Sequence, residues 1–232
     1  MEVLMQDQVA ASAAARVALL AGATGLVGRE VLAALLTDKR YVAVHTVSRR
    51  PLTVKHRKLF NHVADLTASL TLADLPRIDD VVIALGTTIK VAGSQQAFRA
   101  VDFDAVVAVA RAARARGATR LGVVSAMGAN ARSSIFYNRV KGEMEAAVMA
   151  LGYPSLVIAR PSMLLGNRAA LGQPERPGEQ FWGPAMALLK PLIPANYRAI
   201  TAAQVAHALL AALQDTGQGV RVLLSGELQQ AR

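Results

Sequence analysis

The sequence contains no cysteine, which excludes disulfides, thiolate nucleophiles, cysteine-ligated zinc and iron–sulfur clusters together. No uninterrupted apolar run approaches the roughly 18 to 20 residues of a membrane span, because glycine, arginine or an acid breaks each one. Its four histidines, His45, His56, His62 and His207, lack the close helical spacing of a metal site, so no metal is expected. Aromatic residues amount to only 4%, and the basic stretch at residues 111–120 has no stacking side chains interleaved with it. That stretch reads as a solvated helix end, and no nucleic-acid partner is expected. Acids are outnumbered, 16 against 26 lysines and arginines, for a net charge of +10. Such a surplus attracts polyanions and phosphorylated small molecules without choosing among them.

Against these absences, 53% of the 232 residues are hydrophobic and 18% charged, with a mean hydropathy of +0.32. This balance predicts a folded, alanine-rich globule rather than a disordered chain. The first fifteen residues carry Glu2 and Asp7 and lead into an apolar segment ending in glycine, which is not the pattern of a secretory leader. Together with the absence of cysteine this gives a cytoplasmic location as the expectation.

Periodicity organises the chain. Residues 16–21 (RVALLA) form a short continuous apolar run, as in a strand buried on both faces, and residues 28–36 supply the helix that follows. A second β-rich run at 41–47 is halted by Ser48, Arg49, Arg50 and Pro51. Further strands are predicted at 59–63, 81–85, 121–124 and 155–158, and helices at 95–116, 134–150, 184–190 and 201–213. Phe98, Val101, Ala105, Val109 and Ala112 give the 95–116 helix its buried stripe, and residues 167–183 read as a long loop. The alternation predicts an α/β fold with a doubly wound parallel sheet. The 232 residues then form a single dinucleotide-binding domain, with a small substrate lobe contributed mainly by residues 161–200. Off-stripe apolar residues on the 95–116 helix leave monomer and dimer both open.

Three constellations carry chemistry. The first is Gly22-Ala23-Thr24-Gly25-Leu26-Val27-Gly28 at the first strand-to-helix turn, where glycines permit a tight turn and close approach of the backbone to a pyrophosphate on the helix N-terminus. The second lies about twenty positions beyond Gly28, at the end of the second strand, where an acid would grip the ribose 2′-hydroxyl of NAD. Here stand Ser48, Arg49 and Arg50, so a 2′-phosphate meets a hydroxyl and two cations, and NADP(H) is favoured over NAD(H). The alternative at this position is a pair of solvated loop arginines. The third is Ser125, Tyr137 and Lys141: the tyrosine and lysine share one helix face at i, i+4, and the serine ends a predicted strand. A tyrosine titrates near about 10 in water and is a poor acid-base group at neutral pH, whereas an adjacent ammonium favours the phenolate.

These motifs resemble those of the short-chain dehydrogenases/reductases, specifically their atypical branch. The segments Ala84-Leu85-Gly86-Thr87-Thr88, Val140-Lys141-Gly142-Glu143, Arg160-Pro161 with Leu164-Leu165, and Arg176-Pro177-Gly178-Glu179 are similar in order to the HIV-Tat-interacting-protein-like oxidoreductases and their bacterial relatives. The resemblance implies a Rossmann-type domain in which Gly22, Thr24, Gly25, Leu26, Val27 and Gly28 hold the pyrophosphate. It places Asp65 and Leu66 beside the adenine and has Leu85, Gly86 and Thr87 line the cofactor. Arg160, Pro161, Ser162 and Leu164, with Met163, would face the nicotinamide. By the same resemblance Ser125 binds the oxygen of a carbonyl or alcohol substrate, Tyr137 exchanges its proton, and Lys141 holds the nicotinamide ribose. One departure stands out: Asp102 occupies the neighbourhood where many relatives carry an asparagine that supports a proton-relay water, which puts that relay in doubt. Two other readings use the same scaffold. A redox sensor or adaptor would report NADP(H) to a protein partner with little turnover, but would not need the acid-base tyrosine. A sugar-nucleotide epimerase would need a larger segment beyond Pro161. Phe181 and Trp182 are read either as an apolar lid over the cleft or as anchors of a surface loop.

Overall fold

The computed structural model describes residues 15–66, 75–165, 194–215 and 217–230. Seven parallel strands form one sheet: β1 (Arg16–Ala21), β2 (Tyr41–Ser48), β3 (Leu59–Val63), β4 (Asp80–Ile83), β5 (Arg120–Val124), β6 (Ser155–Arg160) and, after a two-strand pair β7 (Leu164–Leu165) and β8 (Ile200–Thr201), β9 (Gly219–Leu224). The spatial order is β3-β2-β1-β4-β5-β6-β9. The chain winds outward in one direction from β1 and then in the other from β4, so the sheet has a switch point between these two strands. Ligands of open α/β sheets bind in the crevice at the carboxyl ends of the strands at such a point.

Both faces are covered, which is why β1 and β4 read as continuous apolar runs: Ala18, Leu19, Leu20 and Ala21 are buried, as are all four residues of β4. On one face lie α1 (Leu26–Thr37) and the later helix Ala202–Gln214, whose Val31, Leu35, Val205 and Leu209 join one core. After β4 come the short helices α2 (Ile89–Ala92) and α3 (Gln95–Arg99), and on the other face lie α4 (Val106–Ala115) and α5 (Phe136–Met149), with Val106, Val109, Met144 and Val148 in the second core. The 202–214 helix is α6, and α7 (Ser225–Leu228) closes the described chain. Thr201 caps α6 through a capping box: its hydroxyl accepts from Gln204 N at 3.2 Å, and the Gln204 side chain accepts from Thr201 N at 3.1 Å.

Three expectations need correction. The helix expected over 95–116 is interrupted by a π-helical segment at Ala100–Ala105. Its wider turn advances the buried stripe, so that Asp102, Val106, Ala110 and Ala113 are buried while Val101 and Ala112 are only half-buried. Strand β4 ends at Ile83 rather than Leu85, which leaves residues 84–88 as a loop over the crevice. Strand β9 was not anticipated: with Arg221 at its centre and Val220 and Leu224 exposed, it is an edge strand without a continuous apolar run. The long loop over 167–183, the helix over 184–190, Phe181, Trp182 and the segment Arg176-Pro177-Gly178-Glu179 lie outside the described residues. Of the expected lobe at 161–200 only the two ends are described, and β7 pairs with β8 there.

Opposite the crevice, at the amino ends of the strands, the buried Asp80 carboxylate of β4 ties β1, β2 and β5 to its own strand. It accepts from Arg16 at 2.8 and 2.6 Å, from Tyr41 Oη at 2.7 Å and from Arg120 Nε at 2.8 Å. At the β3 edge, His45 Nδ1 and His62 Nε2 are 2.9 Å apart, and His45 stacks on Phe60. Burial, reinforced by His62, lowers the His45 pKa from its ordinary 6.5 to about 4. An unfolded chain therefore binds one more proton than the folded one between these values. Stability is complete above about pH 6.5 and falls as the pH drops towards 4. At about 1.4 kcal/mol per pK unit the effect is on the order of 3 kcal/mol. Urea melts across this range are expected to show that slope and to lose most of it in His45→Gln; an unchanged slope in the variant would refute the assignment.

Candidate active site

The glycine turn connects β1 to α1. Gly22 has φ +93°, a left-handed conformation that disfavours a side chain, and a Cβ there would meet the Ala84 carbonyl oxygen at 2.5 Å. Gly28 is packed against the turn itself: its Cβ would lie 1.9 Å from Gly22 O. Gly25 differs, because a Cβ there would sit 3.4 Å from Gly22 O, an ordinary contact. The fold requires Gly22 and Gly28, whereas nothing in the fold crowds Gly25. Gly25 caps α1 without a side-chain hydrogen bond, so the first N–H groups of a twelve-residue helix are left for an anion.

A cavity of about 470 Å³ opens at this point, within the size range of cofactor and small-ligand sites. Its lining includes Gly25, Leu26 and Val27 from the turn, residues 84–88 after β4, and Ser125, Tyr137, Lys141, Pro161, Ser162 and Leu164. The serine, tyrosine and lysine that sequence spacing paired are therefore brought together. Three local contacts hold them. Ser125 N donates to Ala159 O at 2.8 Å, fixing the end of β5 beside β6. Gly142 lets α5 pass so close to the loop after β5 that a Cβ would fall 2.1 Å from Ala131 N. The Tyr137 ring packs against the fully buried Phe98 ring at 5.4 Å between centroids.

Lys141 is held more tightly than the sequence indicated. Its Nζ lies 2.7 Å from Asp102 Oδ1, and the two side chains are only 4% and 1% exposed. Asp102 Oδ2 accepts from Thr87 N at 2.8 Å, so the carboxylate, presented by the π-helical turn, joins the ammonium to the loop after β4. Burial, the largest single influence, pulls the Lys141 pKa down, but the charge and hydrogen bond of Asp102 together with the nearby Tyr137 and Glu145 outweigh it and keep the group protonated above its ordinary range. Ser125 Oγ is buried and has no hydrogen-bond partner among the described residues, a costly state for a hydroxyl unless a ligand completes it.

The other sequence candidates are placed as follows. Leu85, Gly86 and Thr87 line the cavity. Arg49 and Arg50 are exposed in the turn after β2, while Ser48 beneath them is buried and donates to Arg50 O at 2.7 Å, so that its hydroxyl, expected to meet the 2′-phosphate, is engaged by the turn instead. Asp65 is exposed and Leu66 is buried in the core beside Val47; neither lines the cavity, nor do Gly22, Thr24 and Gly28. Arg160 is turned away from it: its guanidinium binds the buried Glu145 of α5 at 3.0 and 2.5 Å and lines a separate shallow hollow. Ser162 bonds Arg198 O and lies 2.9 Å from Ser225 Oγ, linking the cavity wall to α7. Lys90 and Val91 also line the cavity and had no sequence signal.

A family described as NAD(P)H-binding matches residues 22–216, from the first glycine of the turn to just past the end of α6. The chain belongs to this family. Among curated relatives of this NAD(P)H-binding protein, "Protein FMP52-1, mitochondrial" of Scheffersomyces stipitis is 36% identical over 155 residues, 65% of this chain and 68% of that one. "Protein fmp52, mitochondrial" of Aspergillus fumigatus is 38% identical over 172 residues, 71% of each chain. Solved structures share the fold. MoeE5 in complex with UDP-glucose and NAD superposes with a TM-score of 0.67 at 20% identity, over 89% of this chain and 74% of that one. A short chain dehydrogenase family protein from Francisella tularensis subsp. tularensis SCHU S4 gives 0.67 at 14% identity, over 94% and 100%. The relatives' names correct the cytoplasmic expectation, since they are mitochondrial. Lack of cysteine speaks to redox chemistry and does not tell one reducing compartment from another.

Proposed function

We propose that this protein is an NADP(H)-dependent oxidoreductase of the atypical short-chain class, moving hydride between the nicotinamide and a carbonyl or alcohol carbon. Its ordered motif segments support the HIV-Tat-interacting-protein-like branch, and residues 161–200 contribute the substrate lobe. The observation that carries the reading is the orphaned, buried Ser125 hydroxyl in a cavity shared with Tyr137 and Lys141. The residues present fit a dinucleotide: an uncapped helix N-terminus meets the pyrophosphate, and Gly25 leaves its approach open.

Bound there, the nicotinamide dinucleotide supplies or accepts the hydride. Ser125 Oγ donates a hydrogen bond to the substrate carbonyl oxygen and holds the carbonyl in place. Tyr137 Oη passes its proton to that oxygen as the carbon is reduced, and takes it back when the alcohol is oxidised. Lys141 would hold the nicotinamide ribose, with Asp102 fixing its ammonium. At the other end Arg49 and Arg50 donate to the 2′-phosphate of NADP.

This last contact is tested by calorimetry. Charge-assisted hydrogen bonds are worth roughly 1.5 to 3 kcal/mol each, so NADPH is expected to bind about tenfold or more tightly than NADH. Salt narrows the gap because the arginines are exposed. Arg49→Ala with Arg50→Ala is expected to bring the two affinities together; a double variant that keeps its NADPH preference refutes the contact.

One observation favours a second reading, an NADP(H) sensor with little turnover that meets a protein partner. The Asp102 carboxylate offsets the Lys141 charge within the cavity, reducing the electrostatic help available to Tyr137. Tight NADPH binding with no turnover across a broad carbonyl screen would select this reading.

A further inference from the structure

The arginines after β2 are carried by a turn that one side chain from the edge strand holds together. Asn61 on β3 pairs in register with Thr46 on β2. Its Nδ2 donates to Thr46 Oγ1 at 3.0 Å and to Ser48 Oγ at 2.8 Å, and its Oδ1 accepts from Leu52 N at 3.1 Å. The Ser48 hydroxyl, receiving from Asn61, donates in turn to Arg50 O at 2.7 Å. A single amide thus binds the first and last residues of the 48–52 turn and reaches its middle through one hydroxyl. Pro51 within the turn has no N–H to contribute and a fixed φ, so the turn has few other ways to close on itself. The β2–β3 ladder already has five backbone register pairs. The amide's contacts to Ser48 and Leu52 therefore go to the arginine-bearing turn rather than to strand pairing.

We infer that Asn61 is a selectivity-determining positioning residue, which presets the 48–52 turn so that Arg49 and Arg50 can meet a ribose 2′-phosphate together. The inference rests on the reading of those arginines as the 2′-phosphate site. Two guanidiniums on a loose turn lose conformational freedom on binding one phosphate, whereas on a held turn that loss is made at folding. NADH, which has only a 2′-hydroxyl, gains little from the preset turn.

The test measures dissociation constants for NADPH and NADH by calorimetry in the full chain and in Asn61→Leu, which keeps the bulk and removes every hydrogen bond. The expected result is a roughly tenfold rise in the NADPH constant with less than about a threefold change for NADH. A purely structural role would weaken both cofactors by the same factor or neither, and either outcome overturns the inference. Should Asn61→Leu fail to fold, Ser48→Ala decides, because it breaks the relay to Arg50 and leaves the Leu52 contact. The same selective loss, smaller in size, supports the inference, and its absence overturns it. The Arg49→Ala, Arg50→Ala protein separates the two levels. If that protein loses NADPH preference while the Asn61 and Ser48 variants keep it, the arginine site stands and the positioning role falls. If the unmodified chain has no preference, both fall.

Discussion

Tyr137→Phe is expected to lower kcat by about 10²- to 10⁴-fold, the range of general acid–base catalysis by a positioned side chain, while dinucleotide affinity stays within about twofold. The phenyl ring keeps the packing on Phe98, so only the proton-carrying oxygen is lost. Steady-state kinetics on a carbonyl substrate found by screening with NADPH, alongside calorimetry, makes the comparison. An unchanged kcat would eliminate Tyr137 as the proton donor. Lys141 is a less discriminating target. Truncating it leaves the buried Asp102 carboxylate unpaired, and breaking such a pair typically costs about 3 to 5 kcal/mol of stability. A loss of activity there would mix folding with chemistry.

The second large effect is at the phosphate turn. Gly25→Val is expected to reduce dinucleotide affinity by at least about a hundredfold with little change in melting temperature, because the position has room for a Cβ on the protein side but not once a pyrophosphate approaches. Gly28→Ala is expected to destabilise the fold itself, since its Cβ would fall 1.9 Å from Gly22 O. Calorimetry and thermal melts on both variants separate the two roles. A folded Gly25→Val protein with undiminished NADPH affinity would remove the turn from the cofactor site.

The parts of this molecule that sequence reveals are those written in local patterns. Strands β1 and β4 are buried on both faces, so they appear as unbroken apolar runs. The turn at residues 22–28 is legible because Gly22 and Gly28 are demanded by the backbone of the turn and of the loop after β4. Tyr137 and Lys141 lie one helical turn apart and were bound to share a face. Long-range pairings left no such trace. Asp102 reaches Lys141 because a π-helical turn rotates it inward, and no hydrophobic period announces one extra residue in a turn. Asn61 is a lone amide in a half-buried strand, and only the pairing of β3 with β2 brings it to the arginine turn. The family resemblance implied that Arg160 would face the nicotinamide. It is instead paired with the buried Glu145, fifteen residues earlier on α5, which no local pattern links to it.

The most direct measurement follows the hydride itself. The protein is incubated with NADPH carrying deuterium at both hydrogens of the nicotinamide C4 and a panel of aldehydes and ketones, and the alcohols formed are weighed by mass spectrometry. The account predicts at least one alcohol enriched by one deuterium on the former carbonyl carbon, formed by the unmodified protein and lost with Tyr137→Phe. Tight binding of the labelled NADPH with no deuterium in any alcohol would contradict hydride transfer at this site and leave a protein that binds the cofactor without using it.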